Sequence, residues 1–348
     1  MGVRDRAARV LHASGALGAA MRARALIPPR SVAILTYHHV CAPGPGYRFD
    51  PDVADVTPAQ FRRQLAILTR HFTVIDLPTL TRGLDGGPLP RNPCLITFDD
   101  GYRSNYTEAL PALRAAGATA TFFVTTGFTT HRRLYWWDRI AYVVHQAPGP
   151  RLRLTYPVPL DLALADRAAA RAALVKLVKN TKDLDLARFL DELAAAAAVP
   201  WSAAIERALA DELIMTWDEV RALRDAGMTI ESHTRDHRVL ETMPAAALAD
   251  DLAGARADLA REVGVDSRAI AYPVGRTIAR YPAVKAAVAD AGYRLGFTNA
   301  SGKLDVRRPA GLDRLNLARV AVDRELTDAM FFAQLAAPGF AYTRTETA

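Results

Sequence analysis

Cysteine is nearly missing. Cys41 and Cys94 serve the whole chain, far apart and without the paired spacing of a metal knuckle or a redox motif. A disulfide scaffold and a thiolate metal site are thereby excluded, and both residues read as free thiols of a reducing compartment. Long hydrophobic runs are also lacking. The longest uncharged stretch near the N-terminus, Val10–Met21, has twelve residues and contains His12 and Ser14, against the roughly 20 apolar residues needed to span a bilayer. Its centre has no leucine-rich run of the kind a secretory signal carries, so the expected location is the cytoplasm. Acids are scarce in residues 1–30, where Arg4, Arg6, Arg9, Arg22, Arg24 and Arg30 face only Asp5, a balance of +5. The net charge of the whole chain is +7, so its body is close to neutral and nucleic acid is not expected as a partner. The basic segment, residues 1–30, is read as a solvated, partly frayed helix. Peripheral contact with anionic lipid at the inner membrane face is the alternative reading. Internal repeats and low-complexity linkers are absent as well.

What is present is ordinary globular material, 50% hydrophobic and 23% charged. Short β-branched runs at Val32–Tyr37, Thr73–Leu77, Cys94–Phe98, Thr119–Thr125, Met228–Ser232, Ala269–Tyr272, Arg294–Thr298 and Leu317–Val322 alternate with amphipathic stretches. The stretches Pro58–His71, Ser104–Ala116, Trp217–Ala226, Pro244–Val263 and Arg280–Ala291 read as helices, several of them closed by Gly117, Gly227, Gly264 and Gly292. The alternation predicts an α/β fold, an irregular (β/α)7–8 barrel of mostly parallel strands over residues 31–340. Residues 134–215 break the rhythm. They are alanine-rich and helical in pattern, open on Trp136–Trp137, and read as a helical insertion with too few large apolar residues for a core of its own.

The chemistry concentrates at expected strand ends. "TFDDG", Thr97–Gly101, places Asp99 and Asp100 side by side before a glycine, at the end where parallel barrels hold their active sites. A helix cap explains one of these acids and leaves the other without a task. "ESHTRDH", Glu231–His237, sets His233 and His237 four residues apart, and two imidazoles with one carboxylate suit zinc and similar ions with positions left open. "YPVG", Tyr272–Gly275, lets a backbone amide approach a ligand closely. "LTYHHV", Leu35–Val40, ends the first strand in His38 and His39, either of which can reach the mouth as a general acid.

Together these segments resemble the polysaccharide deacetylases of carbohydrate esterase family 4, from about Ser31 to Val322, interrupted by the insertion. The resemblance implies that Asp99 is the catalytic base and that Asp100, His233 and His237 hold a divalent metal, most readily Zn2+. It gives the oxyanion to the amide of Val274. Tyr37–His38 is similar to the N-terminal Tyr-His of members with rearranged motifs, which assigns the acid to His38 rather than His39. Tyr102 and Tyr272 are the expected sugar contacts, and Trp136 and Trp137 either join them or pack against the barrel. The insertion with its tryptophan pair resembles an exopolysaccharide-associated branch.

Three family features are missing. The arginine that precedes the third motif and orients the base is replaced by Ala271, with Arg276 and Arg268 as candidate substitutes; no Asp-x-x-Trp follows Gly296–Asn299; and "LARVAVDR", Leu317–Arg324, lacks a Leu-x-His. The expected function is metal-dependent removal of N-acetyl groups from amino sugars of an exopolysaccharide or lipid-linked precursor. An O-acetyl esterase and a catalytically silent glycan-binding module are the alternatives.

Overall fold

In a computed structural model, which describes residues 2–340, the apolar runs close into a barrel. Its strands are β1 (Ser31–Tyr37), β2 (Pro93–Phe98), β3 (Thr121–Val124), β4 (Thr229–Ser232), β5 (Ala269–Ala271), β6 (Leu295–Ser301) and β7 (Leu317–Ala321). Each pairs in parallel with its neighbour, and β1 pairs with both β2 and β7, so the ring is complete. All six residues of β2 are buried, as expected of a parallel strand with side chains inside the ring and helices outside it. Of the expected eighth strand only Thr73–Val74 forms, as an edge beside β2, and Leu304–Asp305 runs antiparallel beside β1. The four glycines read as helix ends all take left-handed backbone.

Helices wrap the ring. The N-terminal pair α1 (Val3–Ala13) and α2 (Ala16–Arg24) are docked, not frayed. Ala8, Leu17 and Met21 bury themselves with Phe61 and Leu65 of α3 (Pro58–His71) and with Phe331 and Phe332 near the C-terminus. Thr327 donates to Asp5 and Asn92 to the Met21 carbonyl, which fixes both helices to the barrel.

The insertion departs from its expected description in two ways. Besides α4 (Trp136–Gln146), α5 (Arg167–Asn180), α6 (Leu186–Ala196) and α7 (Ala203–Leu213), it holds an antiparallel hairpin, Arg151–Leu154 with Leu160–Ala163. It also has a core. Leu134, Tyr135, Trp136, Trp137, Ile140, Val144, Leu174, Phe189, Leu193 and Leu213 bury one another, with Phe49, Tyr102 and Phe128 contributed by barrel loops. The large residues cluster in α4 and at two or three positions on each of the other helices, so an average over the alanine-rich text hides them.

Candidate active site

The C-terminal ends of β1, β2, β4 and β5 and the facing wall of α5 enclose a groove of about 820 Å3. At its floor β2 delivers Asp99, whose amide still follows the ladder by donating to the Tyr37 carbonyl. The chain then turns. Asp100 takes left-handed backbone (φ 73°), and its carbonyl accepts from the amide and hydroxyl of Thr125 and the hydroxyl of Tyr135. That turn brings the second carboxylate into the mouth beside the first. Gly101 (φ 95°) continues it in a conformation that disfavours a side chain.

Asp100 meets the two histidines that follow β4. The Oδ1 of Asp100 lies 3.2 Å from Nε2 of His233 and 3.3 Å from Nε2 of His237, and the three ligand atoms lie within 4.8 Å of one another. All three residues are buried. Nδ1 of His233 is 2.8 Å from the Ala271 carbonyl, which makes Nδ1 the protonated nitrogen and turns the Nε2 lone pair inward. Among the described residues, Oδ1 of Asp100 has no hydrogen-bond donor. Three acceptor-type atoms thus converge on one buried point, an arrangement that calls for a cation. The 3.2 and 3.3 Å separations of Asp100 from the two histidines suit a tetrahedral ion with bonds of 2.0–2.1 Å, whose ligand atoms stand about 3.4 Å apart. The residues therefore fit a divalent metal. Burial pushes His237 down to about 4, so its imidazole is neutral, as a metal ligand must be.

His237 is braced by the insertion. Nε1 of Trp136 donates to its carbonyl at 3.2 Å, and the Trp137 ring lies 4.4 Å from its imidazole. Trp137 in turn donates to the Tyr102 hydroxyl, which donates to Asp138. Both tryptophans are buried and line the groove. Tyr102 does not. It is fully buried, stacked on His39 and held by Asp138, so its expected role as a sugar contact is corrected to a brace beneath the site. Tyr272 and Val274 border the groove, Val274 with left-handed backbone (φ 63°), but Tyr272 is only 1% exposed and its hydroxyl donates to the Leu315 carbonyl, so, like Tyr102, it offers little surface as the sugar contact expected of it.

Asp99 has a partner that sequence reasoning missed. Arg319, fully buried on β7, donates to both oxygens of Asp99 at 2.8 and 2.6 Å, and also to the Thr298 carbonyl and to Asn299. Neither expected substitute, Arg276 nor Arg268, reaches Asp99. Arg276 pairs with Glu241 and Asn180, and Arg268 lies outside with Asp266. Burial would raise the Asp99 carboxyl, but Arg319, His233 and His38 together hold it below its ordinary value. The available signal was a single arginine inside the apolar "LARVA" strand, since a charge there needs a buried counter-charge.

His38 and His39 take up different places. His39 bonds Ser104, is buried, and is pushed down to about 4 by loss of water, so it stays neutral. His38 faces the groove with Nε2 3.9 Å from Asp99, while its Nδ1 lies 2.7 Å from the buried carboxylate of Asp55. Burial alone would lower His38, but Asp55, with Asp100 and Asp99, raises it to about 9. A π-helical turn at Asn105–Ala109 carries Asn105 to the His38 carbonyl and follows Ser104 at His39. Asp55 was not legible, because "VADV" offers nothing to tie it to a histidine 17 residues earlier.

The groove thus holds a three-ligand cation pocket, a carboxylate poised by an arginine and a histidine poised by a carboxylate. Comparison with known proteins identifies the company this arrangement keeps. The polysaccharide deacetylase family model matches residues 86–147 and 185–296, together half of the chain. The skipped residues, 148–184, hold the hairpin and α5. Among solved structures, the Streptococcus pyogenes deacetylase PplD in complex with acetate is 17% identical with a TM-score of 0.58, over 90% of this chain and 100% of that one. IcaB from Ammonifex degensii is 19% identical (TM-score 0.52; 91% and 99% covered), and the BpsB deacetylase domain from Bordetella bronchiseptica is 19% identical (0.50; 86% and 98%). At these identities the likeness establishes the fold. No curated protein sequence matches.

Proposed function

The chain belongs to the polysaccharide deacetylase family, and we propose that it removes N-acetyl groups from amino sugars of a poly- or oligosaccharide with the help of a divalent cation held by Asp100, His233 and His237. Such a cation, when bound, supplies Lewis acidity toward the acetyl oxygen and makes water easier to ionise. Zn2+ suits two imidazoles and a carboxylate, and other borderline ions share the preference. Asp99, ionised because Arg319 compensates its charge, accepts the proton of the attacking water. The amide of Val274, on the groove wall, faces the oxyanion. His38, protonated at neutral pH through Asp55, gives its Nε2 proton to the departing nitrogen.

The observation that carries this reading is the opposed pair across the mouth: the Asp99 carboxylate paired with Arg319 and, 3.9 Å away, His38 paired with the Asp55 carboxylate. The two poised groups favour an enzyme over a silent binding module, which has no use for them. They also favour an amide over an ester, because an amine departs only when protonated whereas a sugar alkoxide depends on the acid less.

Acetate release from N-acetylated chito-oligosaccharides and from an O-acetylated glycan, with metal content measured beside it, tests the reading. The wild type is expected to release acetate from the first and to contain metal, and His233→Ala to lose both. His38→Gln is expected to reduce amide turnover far more than ester turnover. Bound metal with no release from either substrate would overturn the proposal.

A further inference from the structure

The N-terminal helices present an outer surface that neither the barrel nor the active site uses. On α1 the buried position is Ala8, and Val3, Arg6, Ala7, Val10 and Ala13 on the other side are all exposed. On α2, Leu17 and Met21 are buried while Ala16, Ala19, Ala20 and Ala23 are exposed. Among the described residues, six large hydrophobic side chains are exposed, and four of them belong to this segment: Val3 (77%), Val10 (68%), Leu26 (78%) and Ile27 (44%). Leu26 and Ile27, with Pro28 and Pro29, also rim a second groove of about 640 Å3 whose other walls include Leu89 and Pro309. It lies where the chain enters β1, at the opposite end of that strand from His38.

The charge on this surface has one sign. Arg4, Arg6, Arg9 and Arg22 are exposed, and the only charged residue lining the second groove is Arg91. The single acid of residues 2–30, Asp5, is half-buried and engaged by Arg9 at 3.0 Å and by Thr327. Exposed apolar residues concentrated in one segment mark an interaction surface, and apolar side chains interleaved with arginine match the interface of a bilayer with anionic headgroups. A second copy of the same face would set arginine against arginine. No helix among the described residues is long and apolar enough to cross a membrane, so the contact is peripheral.

We propose that the surface formed by α1, α2 and Leu26–Pro29 docks the protein on an anionic lipid bilayer. The test is flotation of the full chain with phosphatidylcholine vesicles, with and without phosphatidylserine. Binding is expected only with phosphatidylserine and is expected to fall as salt rises. The double variant Arg4→Gln/Arg6→Gln removes two exposed charges and is expected to weaken binding roughly thirty-fold, at about a factor of five per arginine. Val10→Asp is expected to weaken it independently. Unchanged circular dichroism and melting temperature in both variants would exclude misfolding as the cause. Equal binding to both vesicle types, or to neither, overturns the proposal. So does a lipid-free dimer in sedimentation velocity that Val10→Asp dissociates, which would assign the face to a second copy of the chain.

Discussion

At the mouth of the barrel Asp100, Thr234, His237 and Val274 all hold left-handed backbone, a conformation that costs an ordinary residue on the order of 1 kcal/mol or more. The insertion is built otherwise. Asp166, Asp185 and Ser202 open α5, α6 and α7 as plain N-caps, each accepting from the amide three residues on. Its own left-handed residues, Asp183 and Ala198, lie in the turns on either side of α6. Strain is thus placed at the mouth, where Asp99, Asp100, His233 and His237 converge, and the regular helices next to it hold the strained segment in position. The contact between the two regions is specific: Trp136 and Trp137 of α4 grip the carbonyl and ring of His237, itself one of the left-handed residues.

If the mouth performs the chemistry and the insertion only braces it, substitutions in the two regions should fail differently. The largest effect is expected at the acid pair. Asp99→Asn should lower kcat by roughly three orders of magnitude, the scale of a lost general base, with metal content unchanged. Asp100→Ala should lose the metal as well. Kinetics beside elemental analysis of the two proteins decides it, and equal metal loss would break the division of labour between the adjacent carboxylates.

Arg319→Met comes next. Removing one member of a fully buried ion pair leaves Asp99 uncompensated and is expected to cost about 3–5 kcal/mol in urea unfolding. The loss of the guanidinium also raises the Asp99 carboxyl, so the acidic limb of kcat/KM should move to higher pH. Asp99→Asn in the Arg319→Met background should recover part of the lost stability, since no unpaired charge then remains. An unaltered stability in the single variant would mean that β7 does not hold the base.

On the insertion side, Trp137→Ala is expected to weaken metal binding by about 10–100-fold, the range seen when residues that orient a ligand are lost. At saturating metal its kcat should stay within a few-fold of the wild type. A competition titration with a chelating dye measures the first quantity. A fall in kcat that excess metal does not restore would show that α4 contributes to the reaction itself.

These sites were unequally legible. The barrel followed from alternating β-branched runs and helix-closing glycines, because both signals are local. Asp99, Asp100, His233 and His237 stood out since each pair is contiguous or nearly so in the chain. Arg319 and Asp55 did not: one reaches its partner from 220 residues away through closure of the ring, and the other supports its histidine from a three-residue strand that pairs with His39–Val40 outside the ring. Tyr102 failed for the opposite reason. It follows the acid pair directly, but the left-handed turn at Asp100 and Gly101 that lifts the carboxylate into the groove sends the next side chain beneath it.

The smallest and most diagnostic effect is expected at Asp55. Its carboxylate offsets the burial that would lower His38 and is the leading cause of the rise to about 9. A histidine raised in this way donates a proton at any pH below its own pKa and loses that capacity as pH climbs through it. Asp55→Asn keeps the shape and a hydrogen-bonding oxygen but removes the charge, so His38 should deprotonate at lower pH. The alkaline limb of kcat/KM should then move toward neutrality. Asp99 keeps Arg319, so the acidic limb should stay where it is. A shift of both limbs would show that Asp55 acts on the whole mouth, and a shift of neither would remove His38 from the role of acid.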